Sequence, residues 1–345
     1  MNIKLLPLKV TENLVELLCP AGNLPSLKAA VDHGANSVYV GFKDATNARH
    51  FAGLNFTIDE LRRGIEYTHD AGSKVLVAIN TYPVESRWSD WQRAVDTAAD
   101  LGVDALIVAD IGVMEYACSR WPRLPLHLSV QGSATNEDAI MFFHDHFNIQ
   151  RAVLPRVLSV RQVANIVRNV DVPIEVFGFG SLCIMVEGRC QLSSYLTGCS
   201  PNTYGACSPA AHVRWEECDD RLEVRVNGTL IDRFEPNEPA GYPTICKGRF
   251  RVANQTYYAL EEPTSLSVLN ILPELCNAGV AAIKVEGRQR SATYVAKVTT
   301  IMRAAIDACI ADPEQYQPQQ EWQAGLAMLS EGSQTTLGAY HRPWS

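Results

Sequence analysis

The chain alternates short β-branched runs with amphipathic helical patterns, and this alternation limits its fold more than any other feature. Most runs have apolar residues on both faces, as strands of a buried parallel sheet do. The segments between them have apolar residues three and four positions apart, which is typical of helices packed on such a sheet. The runs occupy residues 15–19, 37–42, 74–79, 105–109, 126–130, 151–154, 174–179 and 281–285. Eight βα units predict a (β/α)8 TIM-like barrel, with an open doubly wound α/β sheet as the structural alternative.

Signals at the ends of the predicted helices support this interpretation. Thr57, Ser89 and Ser159 each precede a Glu or Gln by three residues. That spacing predicts a capping box, in which side chain and backbone satisfy each other's free amides. Three helical patterns are followed by a glycine at the position where a left-handed residue commonly ends a helix. These glycines are Gly34, Gly72 and Gly102.

The alternation is interrupted once, after the seventh predicted strand. Residues 183–262 contain no βα unit and instead predict a β-hairpin, in which Asn227 and Gly228 form a type I′ turn. Connections that follow the carboxyl ends of barrel strands carry the functional groups of such folds. The sequence therefore predicts an N-terminal extension (1–14), a barrel (15–311) with an inserted segment (183–262), and a C-terminal tail packed on the barrel (312–345).

Composition argues against several classes of protein. The chain has 30 Lys and Arg against 38 Asp and Glu, a formal net charge of −8, which disfavours nucleic-acid binding. No apolar run approaches the ~20 residues of a membrane-spanning helix, and the N-terminus lacks the features of a signal peptide. We therefore expect a cytoplasmic protein whose ten cysteines are reduced. In that compartment, clustered cysteines indicate metal binding or catalysis more often than disulfides.

Four cysteines of the inserted segment are the candidate metal ligands. Six residues separate Cys183 from Cys190, sixteen more precede Cys207, and a further 38 precede Cys246. Structural zinc usually recruits closer pairs, whereas iron–sulfur clusters occur with more varied spacings. The spacing favours a cluster but leaves zinc and unligated thiols open as alternatives.

The other six cysteines have separate interpretations. Cys199 and Cys218 lie in the same inserted segment and are competing ligands. The remaining four fall in predicted helices or at the end of the first strand, where a small thiol usually belongs to the core. They are Cys19, Cys118, Cys276 and Cys309.

The sequence around the first two ligands resembles the signature of the U32 "peptidase" family. The matching pattern is Glu175-x-Phe177-x-x-Gly180-Ser-Leu-Cys183, followed by Gly188-x-Cys190-x-Leu192-Ser193. The resemblance covers nearly the whole chain beyond the N-terminal extension, and within the family the sequence is similar to the members of ubiquinone biosynthesis. Other similar segments are residues 16–23, 47–55, 261–264, 284–288 and 332–342.

This resemblance implies a [4Fe–4S] cluster held by Cys183, Cys190, Cys207 and Cys246. It also implies a heterodimer with a UbiV-like U32 paralogue that hydroxylates the ring of a ubiquinone precursor without O2, with prephenate as the oxygen donor. The pathway of these relatives suggests a lipid-carrier protein as a further partner. Other relatives hydroxylate bases of RNA, so an RNA base hydroxylase is the alternative function.

Six polar side chains that follow predicted strands are the candidate substrate-binding residues. Three are arginines, which we expect to face one cavity at the barrel mouth, where a guanidinium can grip a donor carboxylate bidentately. Each arginine has a competing interpretation as a structural ion pair. The other three are amides that can orient a ring or a donor. The six residues are Asn47, Arg49, Asn80, Gln131, Arg156 and Arg288.

Two acidic residues near these sites have expected roles, although no residue is assigned as a proton donor or acceptor. Glu286 is expected to pair with Arg288, two positions later. Glu187 lies between Cys183 and Cys190 and is expected to tune the cluster from beside its ligands.

Two further functional classes compete with a hydroxylase. A protease is disfavoured because the chain has neither an H-E-x-x-H nor a G-x-S-x-G motif. His144 and His146 are two positions apart, which places them on different faces of a helix. The other class is a non-catalytic partner that carries a cluster.

Overall fold

The structure, a computed structural model, describes residues 15–342 and contains a closed barrel of eight parallel strands. Seven of them follow one another along the sheet, and the eighth pairs with both the first and the seventh, which closes the barrel. All eight predicted strands are present, so the barrel is confirmed over the open sheet. The strands are β1 (Glu16–Pro20), β2 (Ser37–Val40), β3 (Lys74–Ile79), β4 (Ala105–Val108), β5 (Leu126–Leu128), β6 (Arg151–Val153), β7 (Ile174–Ser181) and, after six others, β14 (Ala282–Val285).

Helices connect the barrel strands and pack on their outer faces. Those of the first six units are α1 (Leu24–Asp32), α2 (Ile58–Asp70), α3 (Trp88–Asp100), α4 (Ile111–Arg120), α5 (Glu137–Phe147) and α6 (Val160–Asn169). The capping boxes at Thr57 and Ser159 are confirmed. The prediction for Ser89 is wrong: α3 begins at Trp88, directly after a short turn of residues 85–87, and has no side-chain cap. Each of the three predicted glycines follows a helix with a positive φ of 75° to 97°.

The segment after β7 forms small antiparallel sheets instead of a βα unit. The predicted hairpin is present, and Asn227 and Gly228 have φ values of 48° and 80°, as a type I′ turn requires. A third strand, Val213–Cys218, pairs with it; it is exposed at all but its first residue, so it lacks the apolar alternation that marks a strand. The segment contains α7 (Leu192–Thr197), α8 (Pro201–Tyr204), β8 (Val213–Cys218), β9 (Arg221–Val226), β10 (Thr229–Phe234), β11 (Phe250–Val252) and β12 (Gln255–Tyr257).

The chain then returns to the barrel through β13 (Ser265–Ser267), a strand that the sequence pattern does not predict. It runs antiparallel to β7 and lies beside the barrel. The last elements are β13 (Ser265–Ser267), α9 (Leu272–Asn277), β14, α10 (Ala292–Ala311), α11 (Gln320–Leu329) and β15 (Thr335–Thr336). Helix α11 packs on α10, and β15 pairs with β13. The predicted extension of residues 1–14 lies outside the described residues. Within residues 15–342 the longest apolar helices fall short of what a bilayer crossing needs.

The core has an outer layer and an inner layer. The outer layer lies between the strands and the helices and holds most of the buried apolar side chains. The inner layer fills the barrel itself, and on one side it is an apolar cluster to which β1 to β4 contribute Leu18, Tyr39, Leu76, Ala78, Ala105 and Ile107. The opposite side is formed by β5, β6, β7 and β14, which contribute charged and polar side chains described below.

Candidate functional site

A cavity of about 80 Å³ opens at the carboxyl ends of the barrel strands. Five of the six predicted substrate-binding residues line it, and the three arginines all face this one cavity. The sixth, Asn47, lies behind the wall, where its Oδ1 accepts a hydrogen bond from Nη1 of Arg288 at 2.9 Å. The five that line the cavity are Arg49, Asn80, Gln131, Arg156 and Arg288.

Two aromatic rings from the inner layer support the cations of this cavity. The guanidinium of Arg156 stacks on Phe177 with its Cζ 3.5 Å from the ring centroid. The Nζ of Lys284 lies 4.3 Å from the centroid of Tyr39, and the Cζ of Arg288 lies 5.8 Å from the same ring. Cations over aromatic faces are stabilised when water is excluded, so the rings hold positive charge at the barrel mouth.

Three of the four cations in the cavity wall have carboxylate partners. Arg156 pairs with Glu187 at 2.6 Å, and Lys284 pairs with Glu175 at 2.7 Å. Glu286 pairs with Arg49 at 3.4 Å, so the expected Glu286–Arg288 pair is wrong. The backbone N–H of Ser181 donates to Oε2 of Glu286 at 3.1 Å and draws that carboxylate towards β7.

The fourth cation, Arg288, has only neutral hydrogen-bond partners within residues 15–342. Its Nη1 donates to the amide oxygens of Asn47 and Asn55, and burial lowers its pKa to about 10. It therefore stays protonated at neutral pH. Burial acts to raise the pKa of Glu286, but the charges of Arg49 and Arg156 outweigh this and lower the pKa to about 2. The cavity thus keeps fixed charges and one cation, Arg288, that forms no ion pair with any carboxylate of the described residues.

The two amides of the cavity wall play different parts. Asn80 is used at both ends, because its Oδ1 accepts from the N–H of Ala48 at 2.9 Å and its Nδ2 donates to Ser129 at 3.0 Å. It positions the loop that carries Arg49. The Oε1 of Gln131, in contrast, is buried with no hydrogen-bond partner among residues 15–342. A buried acceptor of this kind is costly unless a ligand or water supplies a donor.

The four predicted cluster ligands share one neighbourhood beside the cavity. Cys183, Cys190 and Cys246 are partly buried, and Cys207 is exposed. Burial is the main cause that raises the pKa of the three partly buried thiols, and the charge of Cys207 raises each of them further. Contacts between the surrounding segments agree with this placement, because α7, which begins two residues after Cys190, contacts the turn of residues 245–247 that holds Cys246, and Nδ2 of Asn202 donates to the carbonyl of Cys190 at 3.2 Å.

The spacing of these thiols can be compared with what a bound metal requires. A tetrahedral zinc with ligand bonds of about 2.3 Å holds its sulfurs about 3.8 Å apart. Among the residues that the structure describes, no three of these four thiols lie within 4.8 Å of one another. A four-iron cluster places one thiolate on each iron and so needs a wider separation. Four cysteine thiols can serve as the donor set of a [4Fe–4S] cluster or of a structural zinc ion, and both stay candidates for these residues.

The loops that carry the cysteines are fastened to the barrel mouth. Ser133 donates to the carbonyl of Glu187 at 2.6 Å, and the N–H of Arg49 donates to the carbonyl of Gly205 at 3.1 Å. Gly188 has a φ of 90°, and a Cβ there would lie 2.0 Å from the carbonyl oxygen of Gln131. Only glycine allows this approach. The segment between the first two cysteines thus enters the cavity wall, where Glu187 meets Arg156.

Comparison with known proteins identifies the family of this barrel. Residues 22–343 match the family model described as Peptidase family U32. The chain belongs to the U32 family. It is 32% identical over 310 residues to tRNA hydroxylation protein P1 of Bacillus subtilis, which covers 89% of this chain and 66% of that protein. An uncharacterized protease, MJ0090, of Methanocaldococcus jannaschii is 35% identical over 302 residues, covering 86% of this chain and 66% of the relative.

A third U32 relative acts on ribosomal RNA by its name. The 23S rRNA 5-hydroxycytidine C2501 synthase of Escherichia coli is 29% identical over 301 residues, covering 87% of this chain and 40% of that protein. The present chain spans about two thirds of the length of the first two relatives. The names of U32 relatives therefore include RNA hydroxylation and proteolysis.

Sequence reasoning missed three residues of the U32 cavity wall: Tyr39, Lys284 and Glu286 as a partner of Arg49. One signal for Lys284 was present, because a lysine in the otherwise apolar run of β14 has to be buried, and buried lysines are rare unless they are paired. The role of Tyr39 had no such signal, since an aromatic residue in a strand is ordinary core.

Proposed function

We propose that this chain is the cluster-binding unit of a U32 hydroxylase that adds a hydroxyl group to an aromatic ring without O2. The observation that carries the proposal is the contact between the two sites. Glu187, which lies between Cys183 and Cys190, forms an ion pair with Arg156 in the cavity wall at 2.6 Å. A redox group on these cysteines would therefore adjoin the place where a ring can bind.

The cofactor of this proposal is a [4Fe–4S] cluster on Cys183, Cys190, Cys207 and Cys246. When bound, it would supply one-electron redox chemistry, which oxygen transfer from a donor other than O2 requires. The chain's part is to keep the ligands together and mostly away from water. Three of the four thiols are partly buried, and ligation would stabilise the thiolates that burial alone disfavours.

The residues of the cavity divide the work of binding. Arg288, with no carboxylate partner, is the proposed anchor for a carboxylate of the oxygen donor, for which prephenate is our candidate. Arg49 and Arg156 are neutralised by Glu286 and Glu187 and shape the wall. The free acceptor of Gln131 is the proposed contact for a ring N–H or O–H group. In this proposal the guanidinium binds a carboxylate bidentately, and the amide oxygen accepts one directional hydrogen bond.

A protease has less support from the same site. Within the described part of the chain, the cavity lining contains no histidine, so neither a serine nor a cysteine there has a base of the usual kind. The hydroxylation named in the relatives from Bacillus and Escherichia agrees better with a cavity built from fixed charges beside four cysteines.

Two aromatic rings are candidate substrates. The names of the relatives support a base of RNA. The net charge of −8 opposes the phosphate contacts on which RNA affinity depends, and it favours a small ring. The family resemblance indicates a ubiquinone precursor for that ring, together with a UbiV-like paralogue as partner and a lipid carrier for delivery.

A single assay separates the two substrates. The anaerobically purified chain, with and without the UbiV-like paralogue, is incubated with prephenate, dithionite and either total tRNA and rRNA or a ubiquinone-precursor phenol. Mass spectrometry then detects hydroxylated nucleosides or hydroxylated phenol. Hydroxylated phenol only with the paralogue present supports the ubiquinone substrate, and hydroxylated nucleosides support RNA. If a cluster-loaded protein gives neither product, the hydroxylase proposal is wrong.

A further inference from the structure

Lys284 is a lysine on the inner face of β14 that opens onto the cavity although it is only 5% exposed. Its Nζ lies 2.7 Å from Oε1 of Glu175 and faces the ring of Tyr39. Burial is the largest cause that lowers the pKa of this ammonium group, and the charge of Glu175 opposes the shift. A desolvated lysine in a cavity is the usual source of a nucleophilic amine in proteins.

Arg288 lies on the same ring as Lys284 and offers the second half of a binding site. Both cations approach Tyr39, at 5.8 Å for Cζ of Arg288 and 4.3 Å for Nζ of Lys284. The arginine is 3% exposed, and in residues 15–342 no carboxylate lies within 4.0 Å of its guanidinium. A ligand with a carboxylate beside a carbonyl group would meet the guanidinium with one end and the amine with the other.

We propose that Lys284 forms an imine with a 2-oxo acid whose carboxylate is held by Arg288. This inference deepens the donor site described above and rests on that proposal for its role, because prephenate carries a 2-oxo acid arm. The chemistry needs no oxidant or reductant, since imine formation is a condensation. It also assigns a task to a buried charge pair that the proposed hydroxylation does not otherwise use.

The proton movements of this step can be assigned to Glu175. The ammonium group of Lys284 gives one proton to the Glu175 carboxylate, and the neutral amine attacks the ketone carbon to form a C–N bond. The resulting carbinolamine oxygen takes back the proton from Glu175 and a second one from the nitrogen and leaves as water, which gives a protonated imine. The Oε2 of Glu175 accepts no hydrogen bond among the described residues, and its nearest cation, Nη1 of Arg151, lies 3.7 Å away, so this oxygen has a lone pair open for the proton.

The site is tested by reductive trapping with pyruvate, the smallest 2-oxo acid. The full-length protein is incubated with pyruvate and sodium borohydride, digested, and mapped by mass spectrometry. We expect a reduced adduct on Lys284 that approaches one per chain and disappears in Lys284→Met. The matched control is Lys297→Met, which removes an exposed lysine from α10 and is expected to leave the adduct unchanged. An adduct confined to surface lysines would overturn the proposal.

A second variant keeps the test informative if Lys284→Met fails to fold. Arg288→Gln keeps the amine, and we expect half-maximal trapping to need on the order of tenfold more pyruvate, because it removes a charged hydrogen-bonding partner of the carboxylate. An unchanged pyruvate dependence would contradict the role of Arg288. Trapping needs no iron and no ring substrate, so a protein that hydroxylates without forming the adduct refutes the imine alone. A protein that forms the adduct but lacks a cluster refutes the hydroxylase alone.

Discussion

The two sides of the barrel interior are filled by side chains of opposite character. On the side of β1 to β4 the inner layer is the apolar cluster around Leu76 and Ile107. On the side of β5, β6, β7 and β14 it includes His127 and the charged residues Arg151, Glu175 and Lys284, and Glu175 forms ion pairs with Arg151 at 3.7 Å and with Lys284 at 2.7 Å. Apolar burial stabilises a fold directly, whereas a buried ion pair often contributes less than a well-packed apolar residue would. The residues of the charged side are therefore explained by a function and not by a contribution to stability.

The largest change in stability should come from removing the shared anion of the charged side. Glu175→Gln leaves Lys284 and Arg151 without their common carboxylate in a buried site, and we expect a loss of about 4 kcal/mol in the free energy of unfolding. Urea denaturation measures the loss. The control is Glu235→Ala, which removes an exposed ion pair with Arg221 and should cost at most about 1 kcal/mol. Equal losses of unfolding free energy in Glu175→Gln and Glu235→Ala would mean that the buried carboxylate contributes no more to stability than the exposed one.

A void created by mutation on the apolar side should lower the free energy of unfolding without changing the ligand site. Leu76→Ala deletes a buried side chain of the inner cluster, and we expect a loss of about 3 kcal/mol. Pyruvate trapping on Lys284 should persist in this variant, because Leu76 is not part of the cavity lining. Denaturation and trapping on the same preparation check both statements. Loss of trapping in a folded Leu76→Ala protein would mean that the two sides are not independent.

The smallest effect, taken over a single pH unit, is a pH dependence of stability that arises on the charged side. Burial, followed by the charge of Arg151, lowers the pKa of His127 to about 3, from an ordinary value of 6.5. Between these values the unfolded chain binds a proton that the folded chain does not, so stability falls as the pH is lowered from 6.5 towards 3. We expect a slope on the order of 1 kcal/mol per pH unit that is lost in His127→Gln. The exposed His33→Gln variant should retain the slope, and its loss there would point to a different titrating group.

The elements that sequence predicts well are those whose signal is local. The eight barrel strands are recognisable because each is a short, mainly apolar run, and the caps at Thr57 and Ser159 depend on residues three positions apart. The same local pattern at Ser89 failed because a short turn at residues 85–87 started the helix earlier. Strand β8 was missed because its exposed polar residues resemble a loop.

The candidate site was only partly predictable, for a physical reason. Placement after a strand was enough to bring Arg49, Arg156 and Arg288 to one cavity. Pairing was not predictable, because Glu286 meets Arg49 through a turn whose direction no sequence spacing specifies. The assignment of Cys183 and its three companions to a cluster came from the resemblance to U32 proteins and stays a prediction.

The most direct test of the account is metal analysis of protein purified without oxygen. Iron, sulfide and zinc are measured, with EPR after dithionite reduction, for the wild type and for Cys183→Ala and Cys246→Ala, with Cys118→Ala as the matched control. We predict about four iron and four sulfide per chain in the wild type and the control, and little of either in the two ligand variants. Zinc without sulfide, or iron retained in both ligand variants, would contradict a cluster at the mouth of this barrel.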